Sequence, residues 1–367
     1  MCMKQTKKRK KKLLGIAVGI LAVLLAAGDG VLSVTIYRQN FNKRFERQEP
    51  LLQVTDFEGL QCTKYSFPSD KGQMLQGYGY TVGTDWRGIL VMAHGFGGGG
   101  QSGYMDCADY FARHGYYVFA YDATGNDESE GEGVGGLPQG VIDLDHAISF
   151  VEESGQFPDL PIVLFGHSWG AYSVCNVLTY HPEVKGVIAC SGFNRSSDML
   201  EAEGKNQVGN AIYLMMPFVK LYEQIKFGGY AANTALDGFA ASDAAVMIVH
   251  SADDKKVPIQ YGYDVYYEKY KDDPRFTFVR LEHNGHDYVY QDTTYIKAFN
   301  EGFDNWLETL PYEYQAEENQ ERLLADRTEY IHSHLDRYQW SHTLDTELFQ
   351  QFADFYDAQL LCTDLME

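Results

Sequence analysis

The stretch PIVLFGHSWG, residues 161–170, is followed directly by AYSVCNVLTYH, residues 171–181. The first stretch begins with a short apolar run that is typical of a buried parallel strand, and the second has the apolar spacing of a helix. Gly166 and Gly170 lie two residues before and after Ser168, which allows the chain to turn sharply. We therefore predict a strand, a tight turn and a helix, with the Ser168 hydroxyl projecting from the end of a sheet.

Short apolar runs of the same kind recur along the middle of the chain, separated by helix-like stretches. The runs GILVMAH, YYVFAYD and AAVMIVH lack polar alternation, as expected of central parallel strands that are covered on both faces. We expect the first two predicted strands to form an antiparallel hairpin at the sheet edge instead. The pattern as a whole predicts a layered α/β domain. Its expected strands are residues 62–67, 74–82, 89–94, 116–122, 162–166, 186–191, 246–250 and 276–282.

A glycine-rich segment, HGFGGGG at residues 94–100, ends the third predicted strand. Glycine allows the backbone of such a loop to approach a substrate closely. An acyl-transfer site needs two fixed N–H donors for the oxyanion, and in this geometry they would be the amides of Phe96 and Trp169. A phosphate-binding loop is disfavoured, because the segment lacks Gly-Lys-Ser/Thr and a G-x-G-x-x-G pattern with its later acidic residue.

Acidic and histidine residues follow the last two predicted strands: Asp253 and Asp254 after the seventh, His283 and His286 after the eighth. Because each follows a strand of a parallel sheet, we expect them at the same edge as Ser168. A serine hydroxyl is a poor nucleophile until a histidine removes its proton, and a carboxylate must orient that histidine. The chain order therefore predicts a Ser-Asp-His site, and the choice within each pair stays open.

These residues resemble an α/β hydrolase, closest to the serine-aminopeptidase-like and BEM46-like esterase and lipase branches, over roughly residues 60–310. The resemblance is carried by HGFGGG, GHSWG, a D-x-x-V-P element at residues 254–258 and the Gly-His pair at 285–286. It implies an α/β-hydrolase fold with a mostly parallel eight-stranded sheet flanked by helices. The segment 124–127 departs from the family, because it reads Thr-Gly-Asn-Asp where Arg-Gly-His-Gly is usual.

The resemblance also implies a role for each candidate residue. The nucleophile falls on Ser168, the histidine on His286, which follows glycine as in the family, and the acid on Asp254, which begins the D-x-x-V-P element. The oxyanion donors fall on Phe96 and Trp169. The resemblance implies no cofactor and no metal.

The start of the chain predicts a membrane anchor. Seven Lys and Arg residues within positions 1–12 come directly before an apolar run at 13–36. At ~1.5 Å per helical residue this run reaches about 36 Å, which is enough to cross a hydrocarbon core of ~30 Å. The basic head favours a cytoplasmic N-terminus and an extracytoplasmic hydrolase domain. The alternative is a cleaved signal peptide and a secreted protein, since residues 26–28 are small.

Charge excludes one class of partner. The chain of 367 residues has a net charge of −21, and the basic residues are concentrated in positions 1–47. Positions 48–367 hold nineteen Lys and Arg against forty-nine acidic residues. Such a surface repels phosphate backbones, so no nucleic-acid partner is expected. The six cysteines form no C-x-x-C pair and show no metal-ligand spacing.

The sequence also predicts how the rest of the chain is divided into segments. We expect a linker at 37–60, the hydrolase domain at 61–310 with a helical cap insertion at 193–243, and a helical extension at 311–367 that docks on the body. The cap lies where this family inserts the element that selects the substrate.

The cap carries two features that bear on substrate choice. Its apolar stretch at 211–219 suits an acyl or aryl group, although it equally fits a helix packed on the sheet domain. Glu201 and Glu203 are candidates for binding a cationic amine. Taken with the Ser-His-Asp site, these features predict a serine hydrolase that cleaves a small-molecule carboxylic ester, or an amide, through an acyl-enzyme. Two alternatives stay open: a serine aminopeptidase and a catalytically silent hydrolase fold used as a binding module.

Overall fold

The computed structural model describes residues 2–47 and 52–361, and its centre is one eight-stranded sheet. The strands are β1 (Gln61–Pro68), β2 (Met74–Thr81), β3 (Gly88–Ala93), β4 (Tyr116–Tyr121), β5 (Ile162–His167), β6 (Gly186–Cys190), β7 (Ala245–Ser251) and β8 (Phe276–Leu281). Their order in the sheet is β1-β2-β4-β3-β5-β6-β7-β8. The β1–β2 and β2–β4 pairs are antiparallel and the others parallel, with the β1–β2 hairpin at the edge. The predicted fold class and all eight predicted strands are confirmed.

Helices cover both faces of the sheet and build two additions to it. Their bounds are α1 (Cys2–Phe41), α2 (Met105–Arg113), α3 (Gln139–Glu153), α4 (Trp169–Asn176), α5 (Ser196–Val208), α6 (Ile212–Phe227), α7 (Gly229–Ala232), α8 (Ala235–Ala241), α9 (Tyr263–Tyr270), α10 (Thr294–Leu307), α11 (Gln320–His334), α12 (Arg337–Ser341) and α13 (Thr346–Leu361). Helices α5 to α8 lie between β6 and β7, within the segment expected to form a cap.

Alternate residues of the central strands enter two separate cores, one on each face of the sheet. In β5, Leu164 belongs to one core and Val163 and Phe165 to the other, and all three are fully buried. This burial explains why the central strands read as continuous apolar runs. Since β3 and β5 to β8 run in the same direction, their carboxyl ends meet at one edge of the sheet.

Helix α1 is long, and many of its described side chains between residues 16 and 32 are exposed. By length and composition, its segment Val18–Phe41 is able to span a membrane. Apolar side chains are exposed along it, among them Val18, Ile20, Leu21, Val23, Leu24, Leu25, Val31 and Leu32. The run predicted to span a membrane thus lies within a single continuous helix.

The last part of α1 and the residues after it pack against the body. Tyr37 is buried, and its hydroxyl donates a hydrogen bond to Oε1 of Glu223 in the cap, at 2.7 Å. The Arg44 guanidinium donates to three backbone carbonyls of the loop after β4. The first part of the expected linker is therefore bound to the α/β domain. Residue 1 of the basic head, 48–51 of the linker and 362–367 of the C-terminal extension lie outside the described residues.

The C-terminal extension completes the core on the second face of the sheet. Phe349, Phe352 and Tyr356 of α13 are fully buried there, and the Tyr356 hydroxyl donates to the Leu164 carbonyl oxygen at 2.6 Å. This carbonyl belongs to β5, the strand that leads to Ser168. The extension consequently supports the strand on which the candidate site is built.

We predict that Phe352→Ala lowers the free energy of unfolding by about 3–5 kcal/mol, because it leaves a cavity in a closely packed core. The adjacent residue Gln351 is exposed on the same helix, so Gln351→Ala should change stability by no more than about 0.5 kcal/mol. Thermal unfolding of the full chain in detergent measures both. Equal stabilities for the two variants would contradict the packing of α13.

Candidate active site

The serine lies in a strained turn between β5 and α4. Ser168 has φ 57° and ψ −115°, a backbone conformation that few non-glycine residues adopt. A Cβ atom on Gly166 would lie 2.4 Å from the carbonyl carbon of Gly170, and a Cβ on Gly170 would lie 2.0 Å from the Ala93 carbonyl oxygen. Both glycines are therefore required by close backbone contacts, and the turn presents the serine side chain above the sheet edge.

The structure brings three of the predicted residues into hydrogen-bond contact. His286 Nε2 lies 2.9 Å from Ser168 Oγ, and His286 Nδ1 lies 2.7 Å from Oδ2 of Asp254. With Nδ1–H donating to the carboxylate, Nε2 is left to accept the serine proton. The three residues follow β5, β8 and β7, so the shared direction of these strands is what brings them together.

Asp254 is buried and held as an anion. Its Oδ1 accepts the N–H groups of Lys256, at 2.9 Å, and Val257, at 2.8 Å. Burial opposes ionisation, but the hydrogen bonds from His250 and His286 outweigh it and hold the pKa of this carboxyl well below its usual range. The carboxylate is consequently charged at neutral pH and able to stabilise a protonated imidazole.

The two alternatives from the sequence have other positions. Asp253 is exposed, and its Oδ1 accepts the Ser251 hydroxyl at 2.6 Å and the Gly285 N–H at 2.9 Å. It therefore fastens the loop that carries His286, without contacting the imidazole itself. His283 is exposed on the same loop, and the hydrogen bond to Ser168 comes from His286.

Phe96 and Trp169 are the other two predicted site residues. Both line the same cavity as Ser168, and their rings pack at right angles with centroids 5.6 Å apart. Within residues 2–47 and 52–361, neither backbone N–H donates a hydrogen bond to the protein. Both amides are thus free to donate to a substrate oxygen.

Two aspartates hold the glycine loop in place. The N–H of Gly100 donates to Oδ2 of Asp127 at 2.7 Å, and the N–H of Gln101 donates to Oδ1 of Asp122 at 2.9 Å. A Cβ on Gly100 would lie 1.8 Å from that Asp122 oxygen, so only glycine fits. Asp127 belongs to the segment that departs from the family pattern, and here its carboxylate fastens the loop.

A chain of hydrogen bonds joins the glycine loop to the histidine loop. The Gly95 N–H donates to the Tyr104 hydroxyl at 2.9 Å, and that hydroxyl lies 3.0 Å from His167 Nδ1. His167 Nε2 lies 3.0 Å from the carbonyl oxygen of His286, which can only accept, so Nε2 carries the proton and Nδ1 accepts from Tyr104. Burial, followed by the charge of His286, lowers the pKa of His167 to about 3, which keeps this ring neutral.

The candidate site opens into a cavity of about 630 Å³. Phe193 and Met199, at the start of the cap, form part of its wall, and Glu203 is also part of the lining. Asn40 and Phe41 at the end of α1 line it as well, a contribution that the sequence did not indicate. The Phe41 and Phe96 rings are 6.0 Å apart, so the N-terminal segment supports the residue that offers one of the free amides.

One group in the described part of the chain has the spacing of metal ligands, namely Glu152, His181 and Glu183, whose ligand atoms lie within 4.8 Å of one another. Both ring nitrogens of His181 are already hydrogen-bonded, one to Asp145 at 2.9 Å and one to Glu183 at 3.0 Å. These residues are not part of the lining of the Ser168 cavity, and we assign them no part in its chemistry.

The sheet order, the strained serine turn and the cavity at the carboxyl edge are those of the α/β-hydrolase fold. Residues 84–258, slightly less than half of the chain, match the family model described as serine aminopeptidase, S33. No curated protein matches the chain by sequence.

The fold is also similar to that of the esterase Pf2001 from Pyrococcus furiosus. One crystal structure, in space group P212121, matches with a TM-score of 0.53 and 18% identity, over 73% of this chain and 96% of that chain. Another, in space group P21, matches with a TM-score of 0.53 and 15% identity over the same shares. At these identities the similarity shows a shared fold.

We predict that Asp254→Asn lowers the rate at which a fluorophosphonate labels Ser168 by about 10⁴-fold, because an amide cannot hold the imidazole in the required tautomer. Asp253→Asn should lower it by less than about tenfold, since Asp253 only positions the loop. Labelling time courses on both variants measure the difference. A larger loss in Asp253→Asn than in Asp254→Asn would reverse the two assignments.

Proposed function

We propose that this chain is a serine hydrolase that cleaves a carboxylic ester, or an amide, through an acyl-enzyme. The observation that carries the proposal is the continuous line of hydrogen bonds from Ser168 Oγ through His286 to Asp254, beside a substrate-sized cavity. Cavities of this size, about 630 Å³, are typical of small-molecule sites.

In this proposal Ser168 Oγ attacks the carbonyl carbon of the substrate while its proton passes to His286 Nε2. The Asp254 carboxylate stabilises the imidazolium that forms. The oxyanion accepts hydrogen bonds from the amides of Phe96 and Trp169, each of which is expected to contribute about 10²–10³ in rate.

The second half of the reaction releases both products. As the tetrahedral intermediate collapses, His286 gives its proton to the leaving alcohol or amine, and the acyl group stays on Ser168. A water molecule then attacks the acyl carbon while His286 takes one of its protons. Collapse of the second intermediate releases the carboxylic acid and restores the serine hydroxyl.

An ester with an apolar acyl group fits the cavity best. Phe41, Leu137, Phe193 and Met199 contribute to its lining, and methionine adapts its shape to varied apolar groups. Apolar walls around a few convergent polar groups are the usual character of a small-molecule site. The acyl chain would lie against these side chains while the carbonyl faces Ser168.

We also propose that α1 anchors the protein in a membrane, with the hydrolase domain on the extracytoplasmic side. The length of Val18–Phe41, its exposed apolar side chains and the basic residues before it support this proposal. If instead a peptidase cut the chain near residues 26–28, the packed part of α1 would remain with a secreted domain.

A fluorophosphonate probe should label the wild-type full chain, and the label should disappear in Ser168→Ala. Ser154→Ala, at the end of α3, should retain it, because this serine lies outside the cavity lining. Gel fluorescence with intact-mass analysis measures both. If the wild type stays unlabelled while folded, the chain is a catalytically silent hydrolase fold and the proposal fails.

A peptidase that releases N-terminal residues is the second candidate, favoured by the S33 family match and by one acidic side chain in the cavity lining. Glu203 lines the cavity and accepts a hydrogen bond from Gln207 Nε2 at 2.7 Å. Glu201, the other candidate, is paired with Lys205 at 2.7 Å and accepts from Tyr213 at 3.1 Å. Of the two, Glu203 is the one placed to bind a substrate ammonium group.

A panel of p-nitrophenyl esters and aminoacyl arylamides separates the two activities. For the esterase we expect efficient turnover of the esters, unchanged in Glu203→Gln. For the peptidase, Glu203→Gln should lower kcat/KM for the arylamides about tenfold, the value of one charge-assisted hydrogen bond. Glu201→Gln is the matched control and should leave both rates unchanged. Turnover of arylamides alone would overturn the esterase proposal.

A further inference from the structure

Cap helix α6 presents an apolar stripe to solvent. Leu214, Leu221 and Ile225 are 70%, 59% and 77% exposed, and Pro217 lies between them. Their spacing of three, four and four residues places all four on one face of a helix. Tyr213, beside the stripe, is also exposed. Exposed apolar side chains grouped in this way mark a surface that contacts a partner.

The opposite face of α6 packs against the rest of the protein. Ile212, Met215, Met216, Val219 and Phe227 are buried there among the cap, the end of α1 and the body. The exposed stripe is therefore additional to the apolar surface that the helix needs for its own packing.

Helix α1 contacts α6 at a point where neighbouring side chains of α1 are apolar and exposed. A Cβ on Gly30 would lie 3.0 Å from a ring carbon of Phe218, and Ser33 is fully buried one turn later. Between them, Val31 and Leu32 are 70% and 55% exposed. A bilayer that covers these two side chains must reach α6.

The contact with Gly30 borders the stripe. Leu214 is four residues before Phe218 and Leu221 is three residues after it, so both lie on turns adjacent to the contact. Lys220, next to Leu221, is exposed and offers a cation at the same surface. An apolar face bordered by lysine is typical of a helix that lies in the headgroup region of a membrane.

We propose that the Leu214–Pro217–Leu221–Ile225 face of α6 lies on the lipid bilayer, beside the point where α1 emerges from it. This proposal rests on the insertion of α1 proposed above and adds a second, interfacial contact to that anchor. The cap then touches the membrane directly, so the anchor does not act as a flexible tether.

The proposed contact between α6 and the bilayer indicates where the substrate would come from. Asn40 and Phe41 line both the catalytic cavity and a small cavity of about 40 Å³ between α1 and the cap. The small cavity is lined by α1 from Ser33 to Phe41, and at the Phe41 end it adjoins the cavity that contains Ser168. An amphiphilic ester held in the bilayer is the class of substrate that this geometry admits.

Fluorescence quenching by lipid tests the proposal independently of activity. The full chain, with Cys2, Cys62 and Cys362 replaced by Ser, is reconstituted in phosphatidylcholine–phosphatidylglycerol nanodiscs that contain 5-doxyl lipid. A bimane label is attached in turn through Leu221→Cys and Ile225→Cys. Leu24→Cys, in the exposed apolar part of α1, reports insertion, and Gln156→Cys, exposed in the loop before β5 at the opposite sheet edge, reports an aqueous position.

We expect labels at 221, 225 and 24 to lose about half of their fluorescence to the doxyl lipid, and the label at 156 to lose almost none. If position 24 is quenched and positions 221 and 225 behave like 156, the anchor proposal holds and the docking of α6 is wrong. If position 24 is also unquenched, both fail. Labelling of Ser168 by the fluorophosphonate in the same nanodiscs tests the hydrolase proposal separately.

As a second readout, Leu214→Asp combined with Ile225→Asp should reduce quenching at position 221 to the level of position 156, because a charge at this depth opposes burial in lipid. Leu214→Ala with Ile225→Ala is the matched control and should retain most of the quenching. Equal quenching in the Asp and Ala variants would overturn the proposal.

Discussion

The close approach of two backbones at the end of β3 and β5 governs the rest of the site. Gly170 packs directly against the Ala93 carbonyl, with no room for a side chain between them. This contact lies two residues after the strained backbone of Ser168, and it places the loop after β3 beside the first turn of α4. Phe96, Ser168 and Trp169 then line the same cavity, so one packing constraint positions the proposed nucleophile and the proposed oxyanion donors.

Much of this arrangement could be predicted from local sequence patterns, because the strands, the serine turn and the glycine loop are each encoded within a few neighbouring residues. The eight strands could be predicted from apolar runs whose continuity reflects burial on both faces. The choice of His286 over His283 could not come from periodicity, since both lie in one loop, and it needed the family resemblance. In the structure a 2.9 Å contact with Ser168 distinguishes them.

Contacts between distant segments explain what the sequence did not reveal. Arg44 donates hydrogen bonds to backbone carbonyls. Such contacts leave no pattern in the sequence, so the segment after α1 is predicted from its sequence to be a linker. Tyr104 joins the Gly95 amide to His167, and a lone tyrosine in the short helical turn before α2 gives no sign of that role in the sequence. Asp127 lies where glycine is usual in the family, and its carboxylate accepts the N–H groups of Arg47 and Gly100, a contact that the sequence did not indicate.

The position of α13 has a consequence for biosynthesis. Its aromatic side chains cover the second face of β5, yet they are made after all eight strands of the sheet. Until they emerge, the central strands have apolar residues open to water, a state that is prone to aggregation. The sheet is therefore fully covered only after α13 has been made, and a chaperone that shields the uncovered sheet would have its greatest effect before that point.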